Sequence, residues 1–83
     1  MKNTPLNYFW IAHKGYVGVC RWQLDIGCFY GDVPGLRDVI TFQGKNKVTT
    51  IRAFRDSVND YLAFCKERGE PPEKMKHWME HWR

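Results

Sequence analysis

The sequence predicts an α+β domain. A three- or four-stranded antiparallel sheet is covered by one long helix, a β-β-β-α core, with a short amphipathic helix after it. Three observations carry this expectation. Residues 16–23 and 28–33 read as two strands around a glycine-ended turn. Residues 46–69 hold a helix stripe with a start signal and a stop signal. The 83 residues suffice for one domain, with a core over 8–70 and a tail helix over 73–83.

Met1 to Asn7 is polar, contains Pro5 and is expected to be a frayed terminus. Tyr8 to His13 is a short apolar run, read as a first strand. Lys14-Gly15 is a tight-turn pair. Tyr16 to Gln23 alternates as a half-buried strand does, with Tyr16, Gly18, Cys20 and Trp22 on one face. Val17, Val19, Arg21 and Gln23 take the other. Leu24 to Gly27 is a turn, and Cys28 to Val33 is the return strand. Pairing Gln23 with Cys28 sets Trp22 opposite Phe29. It also puts Gly18 near Gly31 and Val33, a bare backbone patch that lets a helix approach closely. Pro34-Gly35 breaks the strand, and Asp38 to Gln43 is the next one, with Ile40 and Phe42 on one side. Gly44-Lys45 ends it.

Asn46 is a good N-cap. The helix it starts runs to about Arg68, with an apolar stripe of Ile51, Phe54, Val58, Tyr61, Leu62 and Cys65. Arg52, Arg55, Asp56, Asn59, Asp60 and Lys66 line its outer side. Lys66 and Arg68 suit the negative end of the helix dipole. Gly69 is the expected left-handed stop, and Pro71-Pro72 prevents continuation. In the tail, Met75, Trp78, Met79 and Trp82 fall at i, i+3, i+4 and i+7. So short a helix is marginal alone in water and needs something to dock on. Methionine and tryptophan are enriched in interface cores. The four residues are therefore the candidate partner interface, in cis or in trans.

Composition narrows the classes further. Hydrophobic residues make up 43% and aromatics 16%, which excludes a disordered chain. The formal net charge is +4, compatible with an acidic partner or nucleic acid. The basic residues are dispersed, and no run of like charge appears. No apolar run approaches the roughly 20 residues that cross a membrane. Cys20, Cys28 and Cys65 form no CxxC pair, and an odd count without a signal peptide points to the cytoplasm.

Chemistry-bearing motifs are few. The chain has no P-loop, no GxGxxG, no GxSxG and no HExxH. His77 and His81, four apart, share a helix face and could hold a transition metal if Glu73, Glu80 or a second chain supplied further ligands. Exposed histidines without metal are the simpler expectation. Asp25, Asp32 and Asp38 are the only carboxylates of the sheet region, and Asp25 and Asp38 stand where turns and strand starts place Asp. Neither a cysteine–histidine pair nor a carboxylate pair is set up by spacing, so no enzyme and no cofactor is expected. Trp10, Tyr16, Trp22, Phe29, Tyr30 and Phe42, with Lys14, Arg21 and Arg37 nearby, could form a nucleic-acid stacking platform. Core packing is their simpler use. A small nucleic-acid-binding domain using an aromatic sheet face is thus the alternative function.

Three runs in order, HKGYVGVCRW, GCFYGDVPGLRDVITFQG and AFRDSVNDYLAFCKERGEPPEK, resemble the HicB-like antitoxin domain of type II toxin–antitoxin systems. The resemblance covers about His13 to Lys74. Its most specific parts are Lys14-Gly15-Tyr16, Phe29-Tyr30-Gly31 with Val33, Gly35-Leu36-Arg37-Asp38, and Val58-Asn59-Asp60-Tyr61-Leu62 ending at Gly69. It implies an antiparallel sheet on one long helix in a bacterial cytoplasmic protein. The implied role is non-enzymatic: binding and blocking a small HicA-type mRNA-cleaving toxin. It also implies a homo-oligomer, probed most simply as a homodimer. Family members usually carry a further strand and a DNA-binding segment. The Met/Trp tail stands in that place here, so DNA binding by this chain is not expected, and an orphan or mobile-element version of the domain is one form it could take.

Overall fold

A computed structural model describes residues 8–74. Four strands, β1 (Tyr8–His13), β2 (Tyr16–Gln23), β3 (Cys28–Asp32) and β4 (Thr41–Gly44), are followed by one helix, α1 (Lys47–Arg68). The sheet is antiparallel throughout, in the order β1-β2-β3-β4. It is an α+β fold with the helix on one face. Among the described residues, no helix is long and apolar enough to cross a membrane.

Short connections set the order. Lys14 and Gly15 both have positive φ, 52° and 85°, as a two-residue I′ hairpin turn requires. The second hairpin closes through Gln23, whose carbonyl accepts from Ile26 and Gly27 at 3.3 and 2.8 Å. Its register is the expected one, Gln23 opposite Cys28 and Trp22 opposite Phe29. Those two rings meet edge to face, 5.0 Å apart, and Phe9 adds a second such contact to Phe29 at 5.1 Å.

The fourth strand starts later than the sequence suggests. Its ladder begins at Thr41, not Asp38, and ends on Gly44, which pairs with Phe29. The amides of Arg37 and Asp38 donate to the Glu73 carboxylate instead of a neighbouring strand. A single bond, from Val33 N–H to the Ile40 carbonyl at 3.1 Å, carries the pairing beyond the ladder. The burial pattern expected there holds, with Ile40 and Phe42 buried and Val39 and Thr41 exposed.

Asn46 caps α1 as expected. Its side chain accepts from Thr49 N–H at 2.9 Å, and the Thr49 hydroxyl accepts from Asn46 N–H at 3.2 Å. Gly69, at φ 71°, ends the helix, with its N–H bonded to the Lys66 carbonyl at 3.1 Å. Phe54, Val58 and Cys65 of the stripe are buried, whereas Ile51, Tyr61 and Leu62 are half-buried. Thr50, absent from that stripe, is fully buried. Its hydroxyl donates to the Asn46 carbonyl at 2.6 Å, which meets its polar need within the first turn.

The core lies between α1 and the sheet. Phe54 and Val58 are the most enclosed, packed with Tyr16, Cys20, Val33, Ile40 and Phe42. Each buried large side chain contributes roughly 1.5–3 kcal/mol. Gly18 and Gly31 provide the bare patch. A Cβ on Gly18 would stand 2.8 Å from the Phe54 ring, and one on Gly31 would stand 2.5 Å from Cys20 Cβ. Phe54 and Phe42, their centroids 5.0 Å apart, occupy that space.

Candidate functional site

Two surfaces of the described residues carry exposed groups that core packing leaves unexplained. The first is a groove of about 660 Å³ between the C-terminal half of α1 and the segment leading into β4. Val39, Ile40, Asp60, Tyr61, Phe64 and Arg68 are among its walls. Val39 is 84% exposed and Phe64 54%, large apolar side chains left at a rim. Asp38, Asp60 and Glu70 outnumber Arg68 on this rim, which leaves it locally acidic on a basic chain; Arg68 lies over the Phe64 ring at 5.1 Å and pairs with Glu70 at 3.7 Å.

A strap of residues after the helix fixes one end of the groove. The Glu73 carboxylate accepts from Arg37 N–H at 2.9 Å and Asp38 N–H at 3.3 Å. Its backbone N–H donates to the Tyr61 hydroxyl at 2.9 Å, and that hydroxyl donates to Asp38 Oδ2, also at 2.9 Å. The Tyr16 hydroxyl donates to the Glu73 carbonyl. Burial pushes both phenols above their usual range, aided at Tyr16 by Cys65 and Glu73 and at Tyr61 by Asp38 and Cys65, so both stay protonated donors near neutral pH. The strap thus ties the loop before β4, β2 and α1 together. Glu73 and Lys74, which the sequence pattern assigns to the tail helix, lie in this irregular segment. Sequence reasoning misses the strap, because nothing in the local pattern around Glu73 announces partners at positions 37, 38, 16 and 61.

The second surface is the sheet face away from α1. Cross-strand pairing aligns Tyr8, Arg21, Tyr30 and Gln43 in one row and Trp10, Val19, Asp32 and Thr41 in the next. Trp10 is 58% exposed, and Tyr8 and Tyr30 are also open to solvent. Arg21 lies over the Tyr8 ring at 5.9 Å. The expectation that the sheet aromatics are core residues therefore divides. Tyr16, Phe29 and Phe42 are buried and Trp22 half-buried, but Trp10 and Tyr30 alternate onto the opposite face. The charges on this face are mixed, Arg21 beside Asp32.

Other singled-out residues have structural places. Asp25 is in the β2–β3 turn, Asp32 is exposed on the open face, and Asp38 serves the strap. They are spread over turn, strand and loop. His13 Nε2 lies 3.0 Å from Asn59 Oδ1, joining the end of β1 to α1. All three cysteines are free and buried. Burial pushes the Cys20 thiol up to about 11 despite the opposing pull of Lys47, so it stays a thiol rather than a nucleophilic thiolate. Among the described residues, no cluster of histidine, cysteine and carboxylate side chains could hold a metal ion. Met75, Trp78, Met79 and Trp82, the candidate partner interface, lie outside the described residues, as do His77, Glu80 and His81.

By the architecture of its described residues the protein is an α+β domain, a four-stranded antiparallel sheet with one long helix. No family model, no curated protein and no solved structure matches it.

Proposed function

We propose that the protein is a non-enzymatic, HicB-like protein-binding module, antitoxin or antitoxin-derived, that binds and blocks a small mRNA-cleaving toxin in the cytoplasm. One observation carries the reading on the structural side: the groove beside α1 combines exposed Phe64 and Val39 with Asp38, Asp60 and Glu70. Exposed apolar side chains set among carboxylates on one rim complement a small basic protein, even though the chain as a whole is basic. The order and spacing of the HicB-like motifs over His13 to Lys74 add independent support. Met75, Trp78, Met79 and Trp82, spaced as one apolar helix face, are proposed as a further part of the partner interface. No cofactor takes part.

The test is co-expression with a small, basic, HicA-type mRNA-cleaving toxin. A stable complex and restored growth are expected. Phe64→Ala is expected to weaken the complex about tenfold, ~1.4 kcal/mol, with the melting temperature unchanged. No complex and no rescue would sink the proposal.

A second reading rests on the open sheet face, where Tyr8, Trp10 and Tyr30 surround Arg21 as a stacking platform for single-stranded nucleic acid. It requires affinity that falls log-linearly with salt, and failure to bind at low salt removes it.

A further inference from the structure

β1 is an edge strand whose outer side no described strand pairs with. Its sequence, YFWIAH, carries no lysine, no proline and no bulge, three of the devices that keep an edge from pairing. At the other edge the helix intervenes, for Ser57 Oγ donates to the Thr41 carbonyl at 3.1 Å and Thr50 lies against Gly44. Among the described residues, then, one edge is guarded and the other is open.

The hairpin turn decides which backbone groups face outward. With a two-residue turn, the flanking pair His13 and Tyr16 exchanges both hydrogen bonds, and so do Ile11 with Gly18 and Phe9 with Cys20. Tyr8, Trp10 and Ala12 form the alternate pairs, so their N–H and C=O groups point away from β2. These three residues are symmetric about Trp10. An antiparallel partner with the same three outward residues closes the ladder, Trp10 on Trp10 and Tyr8 on Ala12, with about six hydrogen bonds. Their side chains share the face where Tyr8 and Trp10 are exposed, and none is charged, so no like charges meet across the two-fold axis.

We infer that β1 is a self-association edge: two copies of this chain pair antiparallel through Tyr8, Trp10 and Ala12, joining two four-stranded sheets into one of eight strands. The axis stands perpendicular to the sheet, so both helices lie on the same side and both open faces on the other. A strand-to-strand contact is small for a specific interface, so association depends on protein concentration. The inference needs no partner except the chain itself and stands or falls separately from toxin binding.

Sedimentation velocity of the full chain over a wide concentration range is expected to show reversible dimerisation. Trp10→Lys and Trp10→Glu, substitutions at a largely exposed side chain, are each expected to be monomeric with native circular dichroism. Mixed in equal amounts they are expected to restore the dimer, because only a self-opposed position sets the lysine against the glutamate. Should either variant fail to fold, hydrogen exchange on the unaltered protein decides: the Trp10 amide becomes protected as concentration rises. A monomer at every concentration overturns the inference. So does a Trp10→Lys dimer, a mixture that stays monomeric, Trp10 exchange independent of concentration, or a dimer abolished by Trp78→Ala with Trp82→Ala.

Discussion

Gly31 and Gly18 show how much a missing side chain decides. Gly31 lies between Cys20 on β2 and the Phe42 ring on β4, and a Cβ there would also stand 2.6 Å from the Val19 carbonyl oxygen. Two of those three obstacles, the Cys20 Cβ and the backbone oxygen, cannot rotate away. Gly31→Ala is therefore expected to lower stability by roughly 1–3 kcal/mol through overpacking, measured as a reduced denaturant midpoint with an unchanged slope. An unchanged midpoint would show that the sheet yields there. At Gly18 the obstacles are the rings of Phe54 and Phe42, the side chains that fill the bare patch. The two-residue alternation makes that patch legible in the sequence, because register alone brings Gly18, Gly31 and Val33 together. Thr50 is not legible in the same way. A threonine reads as a surface residue in a helix stripe until the cap geometry supplies its hydroxyl with the Asn46 carbonyl.

At the scale of elements, α1 is written almost completely in its own sequence. Asn46 and Thr49 satisfy each other's amides at one end, and Gly69 turns left-handed at the other. Asn46→Ala is expected to cost about 1 kcal/mol, because Thr49 N–H loses its acceptor in the first turn. The melting temperature reports it, and Asn46→Asp should restore most of the loss because the acceptor returns. A melting temperature that Asn46→Ala leaves unmoved would mean that the cap contributes nothing beyond the packing of the helix. The first three strands are equally local, each bounded by a turn with its own chemistry. β4 is not. Asp38, Val39 and Ile40 alternate like a strand, yet the Glu73 carboxylate, 35 residues away from Asp38, captures two amides of the segment. A long-range acceptor outcompetes a ladder that a strand at the sheet edge would have made on one side only.

For the molecule as a whole, Tyr16, Tyr61 and Cys20 form a set of acids held protonated. Tyr16 and Tyr61 join β2 and α1 to the strap, and their rings meet edge to face 6.2 Å apart. Burial raises all three above their ordinary values, Cys20 from 9.0 to about 11. The folded state therefore holds these protons more tightly than the unfolded chain. Their contribution to stability is complete below pH 9. It falls as the pH climbs through about 11 for Cys20, and beyond pH 10 for the two phenols. Melting temperature followed across this range should drop, and Cys20→Ala should flatten the first part of the drop. A profile unchanged by that substitution would show that the thiol is no part of it. The groove belongs to this scale as well. Phe64 and Val39 each look like ordinary members of their elements, and only the placing of α1 against the β4 segment turns them into one apolar rim.

The sequence by itself determined β1, β2, β3 and α1, the hairpin register and the ends of α1. Those depend on alternation, turn chemistry and caps, whose partners stand within a few residues of one another. Only the tertiary structure decided where β4 begins, which aromatics face solvent, and that Glu73 ties three elements together. These depend on partners far apart in the chain. The exposed Trp10 and Tyr30, the groove at Phe64 and the β1 edge that no described strand pairs with all arise from how the elements are assembled. Function, on the readings proposed for this protein, lies in those assembled surfaces, because a binding surface is made by side chains that the core does not need.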